Sequence, residues 1–221
     1  MALPTPDRHG AERQLIVALL ELMIHELGNP LQSLTMLVEL SLVGLRESEG
    51  SNERAVARLE RAFESTDRLQ RLVHAGGRVG RMFDHESERT WAEQLDPLLD
   101  LFGGWLLRRR VTLARETEPI DGMRMPCAQV QALAWLLLGA GESVRTARLP
   151  AATLLLSGRG EGEVCELAVV LEQSDGARMK LPSEPVRNAA QLLAPHGELQ
   201  EWPDGELTLR CRLPARQADA S

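Results

Sequence analysis

The sequence has no tyrosine, only three phenylalanines and no long apolar run among its 221 residues. The longest apolar stretches, residues 15–20 and 132–140, are much shorter than the ~18 residues that a membrane-spanning helix needs. The amino-terminal segment also lacks the basic-then-apolar order of a secretory signal. These absences argue against a membrane segment and lead us to expect a cytoplasmic protein.

Positive charge is scarce as well. Lys and Arg number 25 against 32 Asp and Glu, a net charge of −7, whereas a protein that binds nucleic acid needs a basic face. The basic run at residues 108–110 is too short to form such a face. We therefore expect protein partners rather than nucleic acid.

Cysteine is the third scarcity. Cys127, Cys165 and Cys211 are odd in number, far apart and outside any CxxC motif, so neither a disulfide framework nor a zinc site is indicated. We expect three small buried apolar side chains, and we assign no metal-binding or cofactor-binding residues to this chain.

Residues 12–84 have the pattern of two long helices, with apolar residues at every third or fourth position. Between them, Gly50 can end one helix and Ser51 can cap the next. The apolar stripe of the first helix comprises Ile16, Leu20, Met23, Leu27, Leu31, Leu34, Val38 and Leu45. The second carries Val56, Leu59, Phe63, Leu69, Val73 and Val79. The pattern predicts an antiparallel helical hairpin.

The first helix is too apolar for a hairpin to cover alone. A second row lies beside the main stripe and comprises Leu15, Leu19, Leu22, Leu37 and Leu40. Two chains that pair their hairpins into a four-helix bundle would cover both rows. We therefore expect a homodimer.

The periodicity changes after residue 90 and predicts a second domain over residues 90–214. Helices are expected at 91–109, 127–144 and 184–194, the last closed by Gly197, and strands at 111–117, 152–158, 164–173 and 207–213. A turn is expected at Gly158, Gly160 and Gly162. The fold class is α+β, a helical hairpin followed by an α/β sandwich, with residues 1–11 disordered and 215–221 a flexible tail.

His25 stands out because it faces away from the apolar stripe. At about 100° per residue it falls in the middle of the polar face, with Asn29 one turn on and Glu26 at the flank. Pro30, inside the same helix, costs about 3 kcal/mol and frees the Glu26 carbonyl. A sequence keeps such a cost mostly for function.

The stretch from Ile24 to Leu31, IHELGNPL, resembles the phosphoacceptor H-box of two-component histidine kinases. Six of the seven motif positions match. The competing zinc-protease pattern HExxH fails because position 29 is Asn. The resemblance implies that His25 is phosphorylated, that Glu26 is its acid/base partner, and that Asn29 has a phosphatase or positioning role. This fits the chemistry, since an unprotonated imidazole nitrogen is a nucleophile near neutral pH.

The second half resembles, more weakly, the ATP-binding domain of the same kinases. Residues 129–140 look like its N-box helix, but Trp135 and Gly139 occupy the places of its two Asn, the second of which helps to bind magnesium. The next expected helix begins only eight positions after Gly176, which leaves too little chain for the mobile lid of that family. The resemblance implies a degenerate ATPase-like domain without nucleotide binding; another kind of α+β unit is the alternative.

Together these features favour a histidine phosphotransferase of a bacterial phosphorelay. It would accept phosphate at His25 from a response-regulator receiver domain, or from a hybrid histidine kinase, and pass it to another receiver. Magnesium would be held by the receiver. The alternatives are a histidine kinase or response-regulator phosphatase with a divergent nucleotide site, and a non-catalytic pseudokinase binding module.

Receiver docking is predicted from the hairpin. Equal rise along the two helices places residues 71–78 beside His25. We expect a receiver to contact Gln32 and Met36 on the first helix and Arg71 or Arg78 on the second. A solvated charge run is the alternative interpretation of those two arginines.

Overall fold

The computed structural model describes residues 7–47, 52–83, 89–124, 126–161, 164–194 and 196–212. The chain begins with two long helices, α1 (Arg8–Glu47) and α2 (Asn52–Gly80), followed by a 3₁₀ turn at Arg81–Phe83. Arg58 Nη1 donates to the carbonyl oxygen of Leu40 at 2.7 Å, and Met23 lies against Gly76. These two contacts set one antiparallel register, as predicted for the hairpin. The predicted break at Gly50 and Ser51 lies outside the described residues.

The first helix starts earlier than predicted. The carboxylate of Asp7 accepts a hydrogen bond from the backbone N–H of Gly10 at 2.8 Å, and Ala11 is buried. The expectation that residues 1–11 are disordered is therefore wrong for 8–11, because a capping Asp and a buried Ala hold them in the helix. Residues 1–6 lie outside the described part.

The second part is a sheet covered by helices on one face. Its elements are α3 (Trp91–Arg108), β1 (Val111–Glu116), α4 (Cys127–Ala147), β2 (Ala152–Glu161), β3 (Val164–Gln173), β4 (Arg178–Met179), α5 (Ser183–Leu193), β5 (Gly197–Glu201) and β6 (Leu207–Arg212). The strand order is β1-β2-β3-β6-β5, with β4 pairing at β3. Only the β1–β2 pair is parallel among the described strands. The α+β class is confirmed, and the sheet is mainly antiparallel.

One hydrophobic core joins the helices to the sheet. On β2, Leu154 and Leu156 are buried whereas the alternating Thr153 and Ser157 are only half-buried, so the opposite face of the sheet is more open. α3 begins at a capping box, in which Thr90 and Glu93 bond each other's backbone N–H groups. Hydrogen bonds from Thr90 lower the pKa of the Glu93 carboxyl. The predicted domain start at residue 90 coincides with this cap.

Two glycine assignments are wrong. Gly158 and Gly160 lie inside β2 rather than in a turn. They are glycines because a Cβ would fall 2.5 Å from Ile120 Cδ1 at position 158 and 2.6 Å from Met123 Sδ at position 160. Gly197 opens β5 instead of closing α5, which ends at Leu193. A Cβ at position 197 would lie 2.2 Å from the Arg210 carbonyl oxygen, so close strand pairing explains this glycine.

The final strand and the burial of the cysteines were predicted from the sequence and are confirmed. β6 follows a turn in which Gly205 has a φ of +92°, and all three cysteines are buried and lie outside any disulfide. Residues 84–88, at the junction of the two predicted domains, the turn residue Gly162 and the tail 215–221 lie outside the described residues. Within the described helices, none has the length and apolar character needed to cross a bilayer.

Candidate functional site

His25 is exposed on an unbroken α1. Asn29, one turn later, is half-buried, while Gln32 and Met36 are exposed. Their spacing of three and four residues places them on one side of the helix with His25. Pro30 is buried, and the helix continues through it. Four of the predicted site residues therefore form one row.

Glu26, the residue after the histidine, is buried. Its side chain is 1% exposed and is ion-paired with Arg108 of α3 and Arg68 of α2, the latter at 3.9 Å. Within the described part of the chain, neither carboxylate oxygen accepts a well-aligned hydrogen bond, so the two guanidinium groups neutralise it mainly by charge. Partial burial lowers the pKa of Arg108. Glu26 thus connects the helical hairpin to the second domain.

A missing side chain on α3 makes room for this cluster. A Cβ at Gly104 would lie 2.8 Å from Arg68 Nη2, 3.1 Å from Glu26 Oε2 and 3.6 Å from Arg108 Nη1. Three charged groups therefore converge over Gly104, where α3 crosses α1 and α2. Any larger residue would push at least one of them aside.

The two predicted docking arginines lie close to α3. Arg78 is ion-paired with Asp100 of α3 at 3.7 Å, and Arg71 with Asp67 of its own helix at 3.1 Å. Arg71 also lines a cleft of about 300 Å³ together with Glu26, Arg68, Leu72, Asp100 and Gly104. The structure thus brings Glu26 and Arg71 to one cleft and leaves His25, Asn29, Gln32 and Met36 in a row on α1.

Helix α4 contains the residues that resemble an N-box, and Gly139 in it packs closely against the start of α5. A Cβ at Gly139 would lie 3.0 Å from Pro185 Cβ and 3.2 Å from Pro185 Cγ at the start of α5. Pro182 follows at 3.6 Å. At the position where the resemblance expects a magnesium-binding Asn, an added side chain would therefore contact the first turn of α5.

The start of α1 lies over α4 and α5. The indole N–H of Trp135 donates to the carbonyl oxygen of Ala11 at 3.3 Å, and Asn188 Nδ2 donates to Gln14 Oε1 at 3.4 Å. Leu15, Leu19 and Leu22 are buried in the same core as these helices. Trp135, which stands at the other Asn position of the N-box pattern, is therefore a contact between the two parts of the chain.

Another face of the hairpin is apolar and uncovered. Exposed apolar side chains on α1 are Ile16, Val17, Leu20, Ile24, Leu31, Val38 and Leu42, and on α2 Val56, Leu59, Phe63 and Val73. Ile24 and Phe63 are 72% and 75% exposed. Much of the predicted main stripe is thus open in the single chain, while the second row contributes Leu15, Leu19 and Leu22 to the core.

Sequence reasoning missed the α3 side of the site, namely Arg108, Gly104 and Asp100, and it missed Arg68. The run at 108–110 was visible, but its partner is 82 positions away and sequence alone does not pair them. Among the described residues, no group of three His, Cys, Asp or Glu side chains is placed to hold a metal ion.

Neither a protein-family model nor a curated protein sequence matches the chain significantly. Among solved structures, it is similar to the Acinetobacter baumannii histidine kinase AdeS at 11% identity and a TM-score of 0.45, over 86% of this chain and 98% of that one. A bacterial phosphotransferase aligns at 14% identity and a TM-score of 0.48, over 96% and 98%. The Erythrobacter litoralis blue-light activated histidine kinase EL346 aligns at 12% and 0.43, over 99% and 62%. The function proposed below rests on the residues and contacts of this chain.

Proposed function

We propose that this chain is a histidine phosphotransferase of a bacterial phosphorelay, working in the cytoplasm without ATP. His25 accepts a phosphoryl group from the aspartyl phosphate of one receiver domain and gives it to the aspartate of another. The proposal depends on the contrast between the exposure of His25 and the packing of Trp135 and Gly139. The H-box histidine is exposed, whereas the N-box positions Trp135 and Gly139 are occupied by contacts to the chain's own α1 and α5.

These contacts support the proposed loss of nucleotide binding. An Asn at position 139 would press its Cβ on Pro185, which disfavours the side chain that the family uses to bind magnesium. Trp135 is directed at Ala11 instead of a ligand. A kinase needs metal-bound triphosphate, so phosphate must reach His25 from another protein.

The transfer requires only groups that the two proteins supply. One imidazole nitrogen of His25 forms a bond to phosphorus while the bond from phosphorus to the receiver aspartate oxygen breaks, and its electron pair leaves with the carboxylate. The proton on the other ring nitrogen passes to a base, a role assigned to Glu26. The receiver binds the magnesium that screens the phosphoryl charge. The reverse steps deliver the group to the next receiver.

Docking and assembly complete the proposal. A receiver contacts Gln32 and Met36 beside His25 and the arginines Arg71 or Arg78 on α2. Two chains pair through the exposed apolar face of the hairpin, since a face with Ile24 and Phe63 largely exposed favours burial against a second copy. Asn29 helps to place water when phosphate is removed from a receiver.

The test is a two-step relay with purified proteins. A receiver charged with labelled acetyl phosphate is freed of donor, mixed with the full chain, and then challenged with a second receiver. Label is expected to pass through His25 to the second receiver, and His25→Ala should abolish that passage. If no cognate receiver labels His25, yet receivers bind the wild type and His25→Ala equally, the chain is a binding module.

A further inference from the structure

We propose that Arg108 is a positioning residue that withholds Glu26 from His25, so that α3 of the second domain restrains phosphotransfer. This inference rests on the proposed function and adds a control to it. Helix α3 engages two of the residues that the sequence assigns to chemistry and docking, Glu26 and Arg78. Glu26 is ion-paired with Arg108, and Arg78 with Asp100, while His25 stays exposed.

The geometry makes this contact a clamp between two domains. Arg68 pairs with Glu26 from within the hairpin at 3.9 Å, whereas Arg108 and Gly104 belong to α3. A carboxylate that is 1% exposed between two guanidinium groups cannot also take a proton from an exposed imidazole. Glu26 must leave the cluster to act as a base, and α3 must release it.

The energetics point the same way. Removing one partner of a buried ion pair leaves the other charge uncompensated, which is strongly unfavourable. Without Arg108, the Glu26 carboxylate keeps only the longer pair with Arg68, at 3.9 Å, and is better stabilised by turning towards water beside the exposed His25. Loss of Arg108 should therefore free Glu26 rather than merely weaken the fold.

Potassium phosphoramidate is the probe, because it isolates His25 from any receiver. The histidine nitrogen forms a bond to phosphorus, the P–N bond of phosphoramidate breaks and ammonia leaves, while the proton of the other ring nitrogen passes to the base. The rate of phosphohistidine formation at residue 25 is followed by mass spectrometry on the full chain. Arg108→Gln should raise that rate by about fivefold or more.

Matched variants separate the clamp from general loosening. Arg110→Gln removes the same charge from an exposed residue and should leave the rate unchanged, while Arg108→Lys should restore much of the restraint. Gly104→Ala disturbs the cluster without changing any charge and should raise the rate. Gly103→Ala, with nothing within 4 Å of its Cβ, should not.

Glu26 decides whether the effect runs through the base. The gain from Arg108→Gln should vanish when Glu26→Gln is added, and a gain that persists would overturn the clamp. So would equal rates for Arg108→Gln, Gly104→Ala and the wild type when His25 is labelled normally. Absence of label at His25 in every variant, from phosphoramidate and from charged receivers, would instead remove the proposed function and the clamp with it.

Discussion

The indole nitrogen of Trp135 in α4 donates a hydrogen bond to the carbonyl oxygen of Ala11 in α1, 3.3 Å away. This bond joins the first turns of the helical hairpin to the helix whose counterpart in the resembled kinases contacts nucleotide. In this chain, the side chain at that position instead makes an intramolecular contact. The hairpin and the second domain also share one hydrophobic core.

Restoring the missing Asn should not restore nucleotide binding. Gly139→Asn forces its Cβ to within 3.0 Å of Pro185, so we expect a loss of about 1–3 kcal/mol of stability and no binding of ATP with magnesium. Urea unfolding and isothermal titration calorimetry measure the two effects. The control, Gly103→Asn, has open space around its Cβ and should unfold near the wild-type midpoint. Measurable ATP affinity in Gly139→Asn would refute the closed site.

A charge on the apolar face of the hairpin should break the dimer. Phe63 is 75% exposed in the single chain, and Phe63→Glu would place a carboxylate in the four-helix interface. Light scattering after gel filtration should give the mass of one chain for this variant and of two for the wild type. Leu107→Glu changes a residue that is 69% exposed on α3 and should remain dimeric. A wild type of single-chain mass would count against the bundle.

Asn29 should separate two activities. Because the proposed role of Asn29 is to place water, Asn29→Ala should lower the rate of receiver dephosphorylation about tenfold or more. Phosphotransfer to His25 should continue. Release of inorganic phosphate from a charged receiver and label on His25 report the two activities separately. Ser33→Ala, an exposed change on the same helix, should alter neither. Equal loss of both activities would deny Asn29 a separate role.

The buried thiols should make stability fall at high pH. Burial raises the pKa of Cys165 from 9.0 to about 11 and that of Cys211 to about 12. The unfolded chain loses these protons near pH 9 while the folded chain keeps them, so the free energy of unfolding falls as pH rises from 9 through about 12. No tyrosine titrates in this window.

Urea unfolding at pH 8 and pH 10.5 under reducing conditions measures this fall. The double variant Cys165→Ala with Cys211→Ala should be less stable than the wild type at both pH values, because it leaves cavities. Its free energy of unfolding should nevertheless fall less between pH 8 and pH 10.5 than that of the wild type. An equal loss in both proteins would show that the thiols do not contribute.

The parts of this fold that follow from local pattern were predictable. The alternation of Leu207, Leu209 and Cys211 with polar residues marks β6, and the break in apolar spacing marks the change from hairpin to sheet. The sequence predictions were wrong or incomplete where a residue's environment depends on a partner far along the chain. Gly158 makes room for Ile120, and Glu26 is buried because Arg108, far along the chain, neutralises it. Helical spacing shows that Glu26 lies at the flank of the polar face, but it does not show which helix packs against that flank.

The most direct test of the central claim compares two phosphate donors for one residue. Labelled ATP with magnesium, and a panel of receivers charged with labelled acetyl phosphate, are incubated in parallel with the full chain, and label at residue 25 is mapped by mass spectrometry. We expect phosphohistidine at His25 from at least one receiver and none from ATP. Label at His25 from ATP would establish a histidine kinase instead of a phosphotransferase.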